Sequence, residues 1–245
     1  MALFFAPNLA KTNILPEEES IHAIKVLRLQ SGDEIELVDG YGGYFRARIT
    51  LAHPRNCTFK IIESILIPNQ KNYKLHIAIA PTKNIERLEW FIEKATEIGI
   101  DEITPIICCN SERKVIKPER LERVMISAAK QSKKSLFPRI NPICSYDNFL
   151  KEYHENAKFI AHCYDDSTFS ANVLKNINYK KQLLQNALPK ANSGLIMIGP
   201  EGDFSIDEVE HAFHTGYIPV SLGESRLRTE TAGVVACCTA AYINA

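Results

Sequence analysis

The sequence predicts an α/β protein, with a small β-rich module ahead of a mainly parallel sheet covered by helices. Three observations carry this. Residues 34 to 67 read as short alternating strands broken by glycine turns. After Tyr73, apolar strand-like runs alternate with helix-periodic segments, the pattern of a parallel sheet. Two glycine-marked turns near the C-terminus each follow an apolar run and precede a helix-like segment, which is how α/β domains build ligand crevices. A segment poor in apolar residues, Pro68 to Asn72, separates the two patterns and gives expected domains 1-70 and 73-245.

In the first module, Glu34–Val38 and Tyr44–Ile49 alternate polar with apolar, and Asp39-Gly40 and Gly42-Gly43 mark turns. Thr58 to Ile67 is rich in β-branched residues, and the whole is consistent with a barrel. Leu75–Ala80 opens the second pattern as a strand. Ile85, Leu88, Phe91, Ile92 and Ala95 then recur at helical spacing, and Gly99 stops the run. Glu102–Cys108 reads as a strand, Pro118–Ser132 as a helix, and Lys158–His162 and Leu195–Ile198 as strands. Ser205 and Glu208 fit a capping box, with Phe204 and Val209 as its hydrophobic staple, so a helix runs to about His214 with Gly216 as the stop. Tyr217–Leu222 is a strand whose Pro219 points to an irregular or edge position. The last helix, from about Glu230, carries small residues that permit close backbone approach to the domain's own sheet or to another subunit.

Composition excludes several classes. Of 245 residues, 45% are hydrophobic and 24% charged, and the formal net charge is zero. These are ordinary values for a globular protein, so no whole-molecule field recruits a polyanion. No run of about 18 apolar residues exists, so no transmembrane helix is expected, and with no signal-like N-terminus the expected location is cytoplasmic. The seven cysteines form no C-x-x-C pair and read as buried reduced thiols; no metal site is expected.

Local charge tells more. Residues 113 to 139 hold nine Lys or Arg against only Glu119 and Glu122, the footprint of phosphate-backbone binding. Arg113 and Lys134 belong to this stretch. Lys83 and Arg87, four apart on an expected helix, either share a phosphate or are two solvated cations. His22, Lys25 and Arg28 share a face of an expected helix backed by Ile21, Ile24 and Leu27, which either tracks nucleic acid or is a plain amphipathic face.

The turn Ile198-Gly199-Pro200-Glu201-Gly202 is neither a P-loop nor G-x-G-x-x-G. Its glycines lack Cβ atoms, so a ligand can lie against the backbone, while Pro200 stiffens it. In Leu222-Gly223-Glu224-Ser225-Arg226-Leu227-Arg228-Thr229-Glu230-Thr231, two arginines precede a helix start. The helix dipole disfavours cations there, so Arg228 points to a bound anion or polar ligand. Thr229 or Thr231 is the expected N-cap.

Together these motifs resemble the SPOUT class of methyltransferases, and more closely the RsmE family, which methylates N3 of a uridine in small-subunit 16S ribosomal RNA. The resemblance runs through His22 and Val26-Leu27-Arg28, Lys94-Ala-Thr-Glu-Ile-Gly99, Ser111-Glu-Arg113, Gln131-Ser132, Gly199–Gly202 and Leu222–Ala232. It implies a PUA-like N-terminal domain and a C-terminal α/β domain with a deep trefoil knot. It also implies a homodimer and a bent S-adenosylmethionine held by three loops. In this sequence those loops supply His162, then Ile198, Gly199, Pro200, Glu201 and Gly202, then Leu222, Gly223, Leu227 and Thr231. Arg228 is the expected stabiliser of the developing uracil anion, with Glu230 for orientation or proton transfer. His22, Lys25, Arg28, Lys83, Arg87, Arg113 and Lys134 are the expected RNA contacts. The family usually has a second glycine where Asp203 stands, a branched aliphatic at Arg226, a glutamate at Lys130 and an arginine at Lys134. Two alternatives stay open: a SPOUT enzyme acting on another base or a ribose, and a non-catalytic RNA-binding assembly factor.

Overall fold

The computed structural model describes residues 1–65, 71–153, 157–169, 181–190 and 193–245. Part of the expected linker, residues 68–70, and the end of the strand expected to reach Ile67 lie outside these. The chain forms two compact units, one of residues 1–70 with 125–137 and the other of 71–124 with 138–245.

The first unit is built on a four-stranded sheet in the order β1 (Leu3–Phe5), β2 (Glu34–Val38), β3 (Tyr44–Leu51) and β4 (Thr58–Ile65). β1 and β2 are parallel and the other pairs antiparallel. The expected alternation directs Ile35 and Leu37 of β2, Ala47 and Ile49 of β3, and Phe59 of β4 into one core with Phe4 and Leu15. Between β1 and β2 run a helical turn, α1 (Glu17–Ile21), and a π-helical turn over His22–Val26. Leu27, expected on the buried side, is 41% exposed. Arg28 has left the helix in a left-handed conformation, φ 57°. The wider π turn shifts the face that a 3.6-residue period predicts.

The second unit contains the parallel sheet. Its strands are β5 (Leu75–Ile79), β6 (Glu102–Ile107), β7 (Arg139–Ile140), β8 (Cys144–Ser145), β9 (Lys158–Ala161), β10 (Gln182–Leu183), β11 (Gly194–Ile198) and β12 (Ile218–Ser221). The order is β10-β12-β9-β11-β5-β6-β7, with β8 also on β6, and all these pairs are parallel. Pro219 is therefore not on an edge strand, because β12 lies between β9 and β10. It is tolerated beside a partner only two residues long, whose pairing begins at Val220.

Every residue of β5 and β11 is buried, as expected of strands covered on both faces. On one face, Ala78, Ile160, Leu195 and Met197 pack with α4 (Tyr146–Glu152) and α6 (Ile206–His214) through Phe149, Val209 and Phe213. α6 has the capping box the sequence announces. α2 (Ile85–Ile98) is capped by Asn84, buries Leu88, Phe91, Ile92 and Ala95, and ends at left-handed Gly99. It packs against α7 (Thr229–Ile243), where a Cβ added at Gly233 would lie 2.5 Å from the Phe91 ring and 3.1 Å from Ile79. The small residues of α7 thus serve close packing within its own domain. The remaining helices are α3 (Pro118–Gln131), which runs from the second unit into the first, and the single turn α5 (Leu184–Ala187).

Only Cys57, Cys108 and Cys237 are buried; Cys109, Cys163 and Cys238 are exposed and Cys144 is intermediate, so the expectation of buried thiols holds for a minority. In each doublet one cysteine is buried and its neighbour exposed. No helix among the described residues is long and apolar enough to cross a membrane.

Candidate active site

β12, β9 and β11 are neighbours and parallel, so their carboxyl ends lie side by side. The loops leaving them therefore meet, although they start as far apart in sequence as His162 and Leu222. Two adjoining hollows form there. One, of about 410 Å³, is lined by His162, Cys163, Lys181, Leu222, Gly223 and Leu227 among others. The second, of about 290 Å³, is lined by Ile198, Gly199, Pro200, Glu201, Asp203, Arg228 and Thr229 among others. Both share Ala161, Cys163, Arg226, Leu227 and Ala232 as a common wall.

Eight of the ten expected donor-site residues thus line the crevice: His162, Ile198, Gly199, Pro200, Glu201, Leu222, Gly223 and Leu227. Gly202 does not. A Cβ there would lie 3.2 Å from that of Asn110, whose amide donates to the carbonyls of Gly202 (3.2 Å) and Asp203 (3.1 Å). Thr231 lies on a different hollow. The glycines also work differently from expectation. A Cβ at Gly199 would lie 3.0 Å from the ring of Phe204, so the turn is closed against its own staple residue. Gly223 has open space around it and is needed for its φ of 132°.

The crevice is tied together by polar links. The Thr229 hydroxyl donates to Gly199 O at 3.0 Å. Thr229 is thus the first helical residue and not the N-cap, a position held by Arg228 without a side-chain cap. Glu201 Oε1 accepts the Lys83 N–H at 2.9 Å. Asp203, at φ 64°, accepts the Cys163 N–H on Oδ2 and its neighbour Phe204's N–H on Oδ1, both at 2.8 Å. Asp is among the few side chains that tolerate this backbone, which explains how it stands where the family usually has glycine. Lys181 Nζ donates to His162 O (2.7 Å) and Tyr164 O (3.1 Å). Sequence reading missed Cys163 and Lys181 as wall residues; neither lies in a motif.

His162 is buried among Tyr164, Phe169 and Phe213, and neither ring nitrogen has a partner. Burial pushes its pKa down to about 3, helped by the Lys181 ammonium, so the ring is neutral. One nitrogen of a neutral imidazole donates and the other accepts, so it can meet either kind of polar group on a ligand.

Beside the second hollow lies a third, of about 340 Å³, lined by Asn84, Glu86, Arg87, Trp90, Arg228, Glu230 and Thr231. Arg228 faces both. Glu230 is 7% exposed; its Oε1 lies 3.9 Å from Arg87 Nε and its Oε2 has no partner.

The expected RNA contacts divide. Lys83 precedes α2 instead of lying on it, because Asn84 is the cap, and its ammonium pairs with Glu112 at 2.8 Å on the surface. Arg113 braces the same segment by donating to Thr82 O (Nε, 3.1 Å) and Lys83 O (Nη2, 2.7 Å). In the first unit, His22, Lys25 and Arg28 are exposed and Lys134 is half-buried. The basic stretch is partly neutralised: Arg120 pairs with Glu89 and Lys130 with Glu19.

Comparison with known proteins places this architecture. A model of the RNA methyltransferase domain matches residues 69–241, and a model of the RNA methyltransferase PUA domain matches residues 15–62. A ribosomal RNA small subunit methyltransferase E from Buchnera aphidicola is 31% identical over 230 residues, covering 89% of this chain and 85% of its own. The protein of that name from Bacillus subtilis is 26% identical over 95% of this chain and 91% of its own. A solved structure from Porphyromonas gingivalis, described as a probable rRNA-methyltransferase, is 41% identical with a TM-score of 0.86, covering 97% of this chain and 96% of that one. The Neisseria gonorrhoeae methyltransferase E, solved bound to S-adenosyl methionine, is 26% identical with a TM-score of 0.80 over 97% of this chain and 95% of that one. The chain belongs to the ribosomal RNA small subunit methyltransferase E family of RNA methyltransferases.

Proposed function

We propose that this protein methylates N3 of a uridine in 16S ribosomal RNA of the small subunit, with S-adenosylmethionine as donor. The observation that carries the reading is the place of Arg228. It ends the loop that walls the donor crevice and also faces the hollow holding Glu230. The Neisseria relative binds the same donor. The residues here fit it: the neutral, unpartnered imidazole of His162 and the polar rim of the 199–203 turn face a crevice of suitable size for a nucleoside.

When bound, S-adenosylmethionine supplies an electrophilic methyl whose carbon–sulfur bond breaks with its electron pair going to sulfur. The chain's part is orientation and charge. Uridine N3 must first lose its proton, which passes to the Glu230 carboxylate. Arg228 stabilises the uracil anion, whose N3 lone pair then forms the new carbon–nitrogen bond. Because pairing hides N3 in a duplex, the base must be unpaired or flipped out.

Within this reading residues 1-70 hold RNA and 73-245 perform the transfer. Lys83, Arg87, Arg113, Lys134, His22, Lys25 and Arg28 contact the RNA, Gly202 supports the donor site through its tie to Asn110, and Thr231 lines the hollow that holds Glu230. The knotted chain path, the homodimer and cytoplasmic location belong to the proposal and rest on family resemblance. Methyl incorporation into intact small subunits, with the product nucleoside identified by mass spectrometry, tests it. A methylated ribose or a different base excludes N3 chemistry. Arg228→Ala is expected to lower single-turnover rates by about 100-fold with donor affinity kept, the scale of losing one transition-state donor. An unchanged rate removes Arg228 from the mechanism.

A further inference from the structure

We propose that the hollow beside Trp90 seats the acceptor base, with uracil stacked on the indole and its imide edge toward Glu230, Arg87 and Arg228. This rests on the methyl-transfer reading above and assigns it a substrate subsite. α2 buries Leu88, Phe91, Ile92 and Ala95 fully, yet Trp90 is 42% exposed and lines the hollow. An exposed indole beside two arginines is the composition of a base-stacking platform on nucleic acid. Glu230 supplies an independent sign of a ligand. Its side chain is 9% exposed and lines the same hollow, and Oε2 has no donor. A buried carboxylate oxygen left without a donor is costly, so the site is complete only with a donor brought from outside.

Uracil matches the hollow's polar pattern. Its edge reads acceptor, donor, acceptor: O4, N3–H and O2. The hollow offers a carboxylate acceptor, Glu230, together with the guanidinium donors of Arg87 and Arg228. Cytosine presents an amine and an unprotonated N3 instead, which sets a donor against the arginines and an acceptor against the carboxylate. The base so placed shares Arg228 with the donor crevice.

Trp90 is the only tryptophan of the chain, so its fluorescence reports on this hollow without any variant. Protein loaded with S-adenosylhomocysteine is titrated with uridine 5′-monophosphate and with a short uridine-rich single-stranded RNA. Quenching by both, with the cytidine counterparts about tenfold weaker, is the expected result for an edge-reading pocket. Trp90→Ala is expected to raise KM for small subunits about tenfold, equivalent to ~1.4 kcal/mol, while leaving donor affinity unchanged. Trp90→Phe, which keeps an aromatic face, is expected within about threefold of wild type. Fluorescence unmoved by uridylate, or equal quenching by cytidylate, overturns the subsite. So does a Trp90→Ala variant with wild-type KM. Each of these leaves the methyl-transfer reading standing if methyl incorporation proceeds, whereas wild-type protein that transfers no methyl overturns the reading beneath.

Discussion

Replacing Asp203 separates two physical roles that coincide at one residue. Its carboxylate ties the 199–203 turn to the loop after β9 by accepting the Cys163 N–H, and also accepts the Phe204 N–H. Its backbone is left-handed, φ 64°. Each hydrogen bond contributes about 1 kcal/mol at a partly exposed site. Asp203→Gly loses about 2 kcal/mol in hydrogen bonds and incurs no left-handed strain. Asp203→Ala loses the same and adds roughly 1–2 kcal/mol for an alanine in that conformation, about 3–4 kcal/mol in all. Asp203→Asn keeps one oxygen and a tolerated backbone, and loses about 1 kcal/mol. Stability is therefore expected to fall in the order wild type, Asn, Gly, Ala. Urea unfolding followed through Trp90, which lies in the same unit, measures it. Calorimetry with S-adenosylmethionine should show weakened donor binding in the Ala variant, since Asp203 also walls the donor hollow. A Gly variant as stable as wild type refutes the carboxylate bridge, and equal Gly and Ala variants refute the backbone strain.

Three further outcomes are expected. Gly233→Ala drives a methyl into the Phe91 ring inside the α2–α7 contact and should destabilise the second unit by about 1–3 kcal/mol, read from its melting. His162 is held neutral with a folded pKa of about 3 against an ordinary 6.5. Between those values the unfolded chain binds a proton that the folded chain does not, so stability falls as pH drops through this window, by at most ~1.4 kcal/mol per pH unit, and is unaffected above it. Replacing His162 with Phe should remove that component, and identical pH slopes for the two proteins would exclude it. Charge reversal of Lys83 and Arg87 together should weaken RNA binding and flatten its dependence on salt, measured by filter binding at several ionic strengths. Unchanged binding would leave Lys83 as no more than the surface partner of Glu112.

What the sequence reveals is what is local. The cap of Ser205 and Glu208, the stop at Gly99 and the alternation of Ile35 with Leu37 depend on neighbours a few residues away, and the structure has all three. Both glycine turns are legible for the same reason. The rest depends on distant partners. Nothing near Thr229 announces that its hydroxyl meets Gly199 O, so its type reads as a cap. Nothing near Gly202 announces Asn110. Lys83 looks helical until Asn84 is seen to take the cap. Trp90 falls off the buried period of its helix, but only the fold shows that it lines a hollow with Arg228 and Glu230.

The links around the crevice explain why such a site can be built largely from backbone. Sulfonium chemistry asks little of side chains but much of position, so the loops must be held before the ligand arrives. Parallel strands β12, β9 and β11 align the loop origins, but alignment alone leaves their tips free to move. The tips are fixed by pairwise ties: Thr229 to Gly199, Asp203 to Cys163, Lys181 to His162 and Tyr164, and Glu201 to Lys83. Each tie joins segments remote in sequence, so each excludes loop conformations that local propensity would allow. Among the described residues, the buried imidazole of His162 on this wall has no such tie, since neither ring nitrogen has a protein partner. Its hydrogen-bonding capacity is therefore unspent in a crevice whose loops are otherwise cross-linked.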